Sequence, residues 1–197
     1  MAVMATQASA AIHRSPRSAL TYDVSRLPRR PGAMLPVRET VRSPSRIGLD
    51  MIAIDRGAPL DLDLRFQSVS EGVLVTGTVS APTTGECARC LAATSGRVEI
   101  ALTELFAYPD STTEATTEED EVGHVVEGTV DLEQAIIDAV GLDLPLSPLC
   151  RPDCPGLCSV CGVALAGAEP GHHHEQVDPR WAKLAGLFSD NTGEDRR

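Results

Sequence analysis

Six cysteines constrain this 197-residue chain more than any other feature, because they fall in two tight groups with the spacing of metal knuckles. The first group is Cys87-Ala88-Arg89-Cys90. The second is Cys150, Cys154, Cys158 and Cys161, followed at once by Gly162. Two residues between cysteines let both sulfurs reach one ion from a tight turn. Glycine after the second cysteine suits the positive φ that such a turn often adopts. His172, His173 and His174 follow eleven to thirteen residues after Cys161. In an extended segment His172 and His174 point the same way, because side chains alternate. Eight candidate ligands are enough for two tetrahedral sites: Cys87, Cys90, Cys150 and Cys154 for one, Cys158, Cys161, His172 and His174 for the other. The alternative is a single four-cysteine site with solvated histidines. Thiolate and imidazole donors match Zn2+ better than the oxygen-preferring cations, so one or two structural Zn2+ ions are expected.

Enzymatic readings of the same residues fail on order and context. A zinc deaminase carries H-x-E ahead of P-C-x-x-C. Here His173 and Glu175 come after Cys158 and Cys161, and no proline precedes Cys158. A thioredoxin-like CxxC opens a helix in a βαβ unit, whereas Cys87 and Cys90 lie between strand patterns. P-loop, G-x-S-x-G and dinucleotide fingerprints are missing from the sequence. Closed four-donor sites also leave no position for a reactive water. No catalytic residue is assigned, and the chain is expected not to be an enzyme.

The rest of the chain reads as an α+β domain with a mainly antiparallel sheet, a few helices and the Cys/His zinc-binding region. Leu60, Leu62, Leu64 and Phe66 alternate with polar neighbours, the period of a half-buried strand. Ser70-Glu71-Gly72 then turns the chain into a second strand over 73–79, and Val98, Ile100 and Leu102 alternate again towards Phe106. Residues 110–121 hold six acids and four threonines and read as a solvated loop. Leu132, Ala135, Ile136, Ala139 and Val140 make one helical face, with Asp131 as cap, Gln134 completing a capping box, and Gly141 placed to end it. A second helix is expected from Asp178-Pro179, with Trp181, Leu184, Ala185 and Phe188 as its buried stripe. The expected organisation is a disordered leader over 1–18, an irregular basic arm over 19–46 and the folded domain over 47–188. The zinc-binding segment spans 150–174 within it, and a frayed tail covers 189–197. Within the arm, Tyr22, Val24, Leu27, Met34 and Leu35 are candidates to dock on a neighbour.

Charge is divided unevenly. Residues 1–46 carry eight arginines against Asp23 and Glu39, while the remainder has nine basic and 26 acidic residues, giving −11 for the chain. The acidic total excludes a uniformly basic nucleic-acid coat, and DNA is not an expected partner. The basic arm can follow a phosphate backbone, which nominates Arg26, Arg29 and Arg30 as RNA contacts. No apolar run approaches the roughly 20 residues of a membrane span. The first twenty residues lack the charged and Leu-rich regions of an export signal. A cytoplasmic location is therefore expected, where cysteines stay reduced.

In order and spacing, the residues resemble the YceD family, the large ribosomal RNA subunit accumulation proteins. The resemblance is carried by Gly72 to Val79, Cys87-x-Arg89-Cys90-Leu91, Glu104-Leu105-Phe106 and Asp131-Leu132. It continues through Leu144-Pro145-Leu146, the block from Cys154 to Gly162, and Asp178 to Trp181. It covers about 20–188, and Arg29 to Gly32 with Gly171 to His174 is most similar to actinobacterial members. In many members a Cys-x-Cys stands where His172 and His174 stand here, which implies that both histidines are ligands. The resemblance implies a cytoplasmic, non-enzymatic factor needed for accumulation of large-subunit ribosomal RNA, with that RNA or a precursor particle as partner. Two other readings remain: a zinc-stapled module that holds a basic ribosomal protein without touching RNA, and a thiol regulator that releases metal on oxidation.

Overall fold

The computed structural model describes residues 18–109, 111–116 and 122–174. Residues 1–17 of the leader expected over 1–18, the helix expected from Asp178 and the tail over 189–197 lie outside the described residues. Among the described residues no helix is long and apolar enough to cross a membrane. The chain divides into two units, Met1–Pro152 and Asp153–Arg197.

The first unit is built on one mainly antiparallel sheet. Its central strand, β6 (Gly72–Glu86), pairs along its whole length with β7 (Ala93–Ala107), so the two form a hairpin of fifteen-residue strands. On the other side β6 pairs with β5 (Pro59–Ser68) and then with β4 (Ile52–Ile54), which pairs with β3 (Ile47–Gly48). β2 (Met34–Arg42) completes that side against β5. A short parallel strand, β8 (Gly123–His124), touches only Phe106 and Ala107 of β7. A separate two-stranded ladder joins β1 (Thr21–Asp23) to β9 (Thr129–Asp131). The sheet, the β5–β6 turn and the fold class are as the alternation predicts.

One face of the sheet makes the core. Leu60, Leu62, Leu64 and Phe66 of β5, Val73, Val75 and Val79 of β6, and Val98, Ile100 and Leu102 of β7 are buried together. α2 (Glu133–Asp143) adds Ile136 and Val140 to that core. Each such aliphatic side chain contributes about 1.5–3 kcal/mol of burial. At Gly77 (φ +148°) two strands nearly touch: a Cβ there would lie 2.1 Å from the Asp63 carbonyl oxygen.

The stretch 19–46, expected to be irregular, instead contributes β1 and β2. Leu20, Tyr22, Val24 and Leu27 are buried, and the Tyr22 ring sits 5.2 Å from that of Phe66. β2 escapes a periodicity reading because Pro36 interrupts it and Glu39 occupies a core-facing position beside Val37 and Val41. Glu39 is accommodated because the Tyr22 hydroxyl donates to it at 2.8 Å. Pro36 is tolerated because β2 is an edge strand. Of the proposed docking residues Leu35 is partly buried, whereas Met34 is exposed.

Two local expectations change. The acidic segment contains a short helix, α1 (Thr112–Thr116), whose Glu114 N–H donates to the Ser111 hydroxyl as an N-cap bond. Asp131 does receive the Glu133 N–H at 2.9 Å, but Gln134 bonds Asp138 rather than closing a capping box. Gly141 lies inside α2. The helix stops at Asp143 because Pro145 forces Leu144 into an extended conformation (φ −69°, ψ 139°).

Candidate metal centre

The first CxxC occupies the tip of the β6–β7 hairpin. Between Glu86 and Ala93 the chain must reverse in six residues, and Cys87 and Cys90 are two of them. The Cys87 N–H donates to the Ala92 carbonyl and the Leu91 N–H donates to the Cys87 carbonyl, both at 2.8 Å. Closing that turn puts Leu91 at φ +59°, a left-handed conformation that L-residues adopt at a cost of about 1–2 kcal/mol. The second CxxC, in the other unit, repeats the same arrangement. Cys158 N–H donates to the Val163 carbonyl, Gly162 N–H donates to the Cys158 carbonyl, again at 2.8 Å, and Gly162 has φ +73°. The glycine was legible as a knuckle residue; Leu91 in the equivalent place was not, because leucine gives no signal of a positive φ.

In the first unit Cys150 reaches the hairpin tip. The Ala88 N–H donates to the Pro148 carbonyl at 2.8 Å, which lays the segment before Cys150 beside the knuckle. The Sγ atoms of Cys87, Cys90 and Cys150 lie within 4.8 Å of one another, with Cys90 and Cys150 at 3.7 Å. None of the six cysteines is joined in a disulfide. Cys87 is fully buried, yet its thiol is pulled down to about 6. The backbone N–H of Cys150 is the largest cause, helped by the amides of Arg89 and Cys90 and by the Cys90 thiol, while burial works the other way. Cys154, the second residue of the second unit, is buried as well.

In the second unit Cys158, Cys161, His172 and His174 converge, their donor atoms also within 4.8 Å of one another. Cys161 Sγ is 3.5 Å from His172 Nε2 and 3.3 Å from His174 Nε2, and the two Nε2 atoms are 3.1 Å apart. The rings meet edge to face, 86° apart. His173 turns away and donates from Nδ1 to the Gly171 carbonyl at 2.7 Å. The Cys158 thiol is also held near 6, by the backbone N–H groups of Cys161 and Val160 and then by the His172 imidazole. Burial opposes this, and the Cys161 thiol adds to it.

These spacings can be tested against a tetrahedral ion. With Zn–S of about 2.3 Å and Zn–N of about 2.0–2.1 Å, donor pairs should stand about 3.8 Å apart for S–S, about 3.5 Å for S–N and about 3.3 Å for N–N. The four measured pairs agree within a few tenths of an ångström, and both histidines present the same ring nitrogen. Each cluster could therefore hold a metal ion, and the histidines belong to a cluster rather than to solvent.

The three nominated arginines sit between β1 and β2, all exposed. Arg29 is not free in solution: its guanidinium lies 4.6 Å above the Tyr108 ring. Sequence reasoning missed that contact, since Tyr108 is 79 positions away, just past the end of β7.

The family profile described as large ribosomal RNA subunit accumulation protein YceD matches residues 75–188, which include all eight candidate ligands. An uncharacterised protein of Mycobacterium tuberculosis (strain H37Rv) is 68% identical over 188 residues, 95% of this chain and 90% of that one. An uncharacterised protein of Mycobacterium leprae is 58% identical over 172 residues, 87% of this chain and 79% of its own length. No solved structure matches the chain at a significant level. With both knuckles, β7 and the cysteine block falling inside the matched span, the chain belongs to the YceD family of large ribosomal RNA subunit accumulation proteins.

Proposed function

We propose that this protein is a non-enzymatic cytoplasmic factor that supports accumulation of large-subunit ribosomal RNA, with two structural zinc ions holding its shape. The observation that carries the zinc assignment is the tetrahedral spacing of the donors, above all the 3.1–3.5 Å separations among Cys161, His172 and His174. One ion takes the thiolates of Cys87, Cys90 and Cys150, and Cys154, only four residues on from Cys150, is the fourth ligand that spacing nominates. The other takes Cys158, Cys161, His172 and His174. Four protein donors leave no coordination position for water or substrate, so the ions serve folding rather than chemistry. RNA contact falls to Arg26 and Arg30, which are exposed on an edge of the folded body, with Arg29 anchored beside them on Tyr108.

Sedimentation of a cell lysate on a sucrose gradient tests the role. The protein should travel with large-subunit precursor particles, and its depletion should lower large-subunit RNA relative to small-subunit RNA. A protein found only at the top of the gradient, with an unchanged RNA ratio on depletion, refutes the reading.

A further inference from the structure

β7 is paired along one side by β6, but on its other side β8 meets only Phe106 and Ala107. From Ala93 to Leu105 no strand among the described residues covers that edge. A groove of about 410 Å3 runs along it, walled by α2. Its lining includes both Ile100 and Glu104, which alternate with Ala101 and Thr103 onto opposite faces of the sheet. A cavity that meets both faces of one strand lies at that strand's edge. The opposite wall carries Asp138, Asp143 and Leu142, the last 90% exposed.

Charge selects the occupant. Between Arg97 and Arg151 the sequence has thirteen acidic residues and not one lysine or arginine. Unpaired strand edges invite another strand, and proteins control which one by placing charge there. Glu99 and Glu104 stand exposed on this edge. A second copy of the chain pairing edge to edge would set these acids against each other, and a nucleic acid backbone would be repelled by them and by the helix wall. A lysine- or arginine-rich strand would not.

We propose that the groove between β7 and α2 binds a basic protein segment in extended conformation, added as a strand to β7. Main-chain hydrogen bonds to the open edge give affinity, as in other strand additions. Basic side chains of the segment meet Glu104, Asp138 and Asp143, and an apolar residue covers Leu142. None of the residues lining the groove belongs to the arginine arm or to either cysteine cluster, so the proposal does not depend on their assignment.

The test uses the full-length protein and a fluorescent twelve-residue peptide of alternating lysine and valine, followed by anisotropy. Saturable binding is expected. It should weaken about threefold to tenfold with Asp138→Asn/Asp143→Asn, the loss of two exposed charge pairs, and in a Leu142→Ser variant. The same peptide N-methylated at alternate residues should lose binding outright, because it keeps its charge but cannot complete the ladder. That comparison leaves the protein unaltered, so it holds even where a variant misfolds. Equal binding of the methylated peptide overturns strand addition. Equal binding of an alternating glutamate–valine peptide overturns the charge argument. A single-stranded RNA oligonucleotide that competes for the groove shows that the occupant is nucleic acid and overturns the proposal.

Discussion

Replacing Cys87 by serine should destabilise the body of the protein far more than replacing His174 by alanine. Cys87 and Cys90 sit at the hairpin tip, and Cys90 is sixty residues from Cys150. An ion that joins them closes a sixty-residue loop in the unfolded chain. Treated as a cross-link, such a loop is worth about 4 kcal/mol, and a ligand set that binds only the native state stabilises it by a similar logic. A domain of this size loses roughly 2–4 °C of melting temperature per kcal/mol, so Cys87→Ser should lower the main transition by about 8–16 °C. Cys161 and His174 are only thirteen residues apart. Among the described residues, every member of the hydrophobic core precedes Cys150. His174→Ala should therefore leave the main transition nearly in place while the second ion is lost. Circular dichroism melts of zinc-loaded, reduced protein measure both shifts, and wild-type protein stripped by a chelator should fall as far as Cys87→Ser. Equal shifts for the two variants, or a Cys87→Ser melt within 2 °C of wild type on the ~1 kcal/mol scale, would refute the long-loop reasoning.

Elemental analysis of protein purified reduced and without chelators should find about two zinc equivalents, one for each cluster, and well under one refutes the metal assignment. Gly77→Ala should cost at least about 2 kcal/mol in urea unfolding, since its methyl group would meet the Asp63 carbonyl oxygen and Leu64 Cα, both backbone atoms that cannot swing away. Asp61 is held below the ordinary aspartate pKa by the Thr40 hydroxyl and then by Arg97, at 2.7 Å and 2.6 Å. A lowered folded pKa favours folding above the unfolded value and loses that contribution as pH falls through the folded one. Asp61→Asn should therefore be slightly less stable than wild type at pH 7 and indistinguishable from it in acid, as paired melts at the two pH values will show. Arg26→Ala/Arg30→Ala should weaken association with large-subunit particles and flatten its salt dependence by about 0.7–0.9 per lost phosphate contact, with the melt unchanged. Arg29→Ala should in addition cost about 0.5–1 kcal/mol through the lost stacking on Tyr108, read from the same melts.

Both cysteine knuckles were legible because cysteine spacing is local: two residues between sulfurs dictate a turn wherever it is placed. The β5–β6 hairpin and α2 were legible for a similar reason, since their alternation and their 3.6-residue period are undisturbed. β2 was not. Its core-facing row is broken by Glu39, which is satisfied by Tyr22 from a segment seventeen residues away, and no window of local sequence shows that partner. The end of α2 was misplaced by two residues because Gly141 is a ready helix stop, while Pro145 acts on the residue before it. Contacts set by distant pairing, such as Arg29 on Tyr108 and Ala88 on Pro148, had no sequence signal at all.

The sixty residues between the hairpin tip and Cys150 also set a clock. A ribosome adds about 5–20 residues each second, so Cys87 and Cys90 emerge about 3–12 s before the third thiol that meets them. The hairpin itself needs only microseconds to close. For most of that interval the nascent chain therefore displays a finished turn carrying two of the cluster's thiols, open to metal ions, to oxidants and to exchange with other thiols. On the zinc reading proposed above, the long-range staple forms only once the cysteine block leaves the tunnel, and the supply of metal near the ribosome then sets the fraction of new chains that mature.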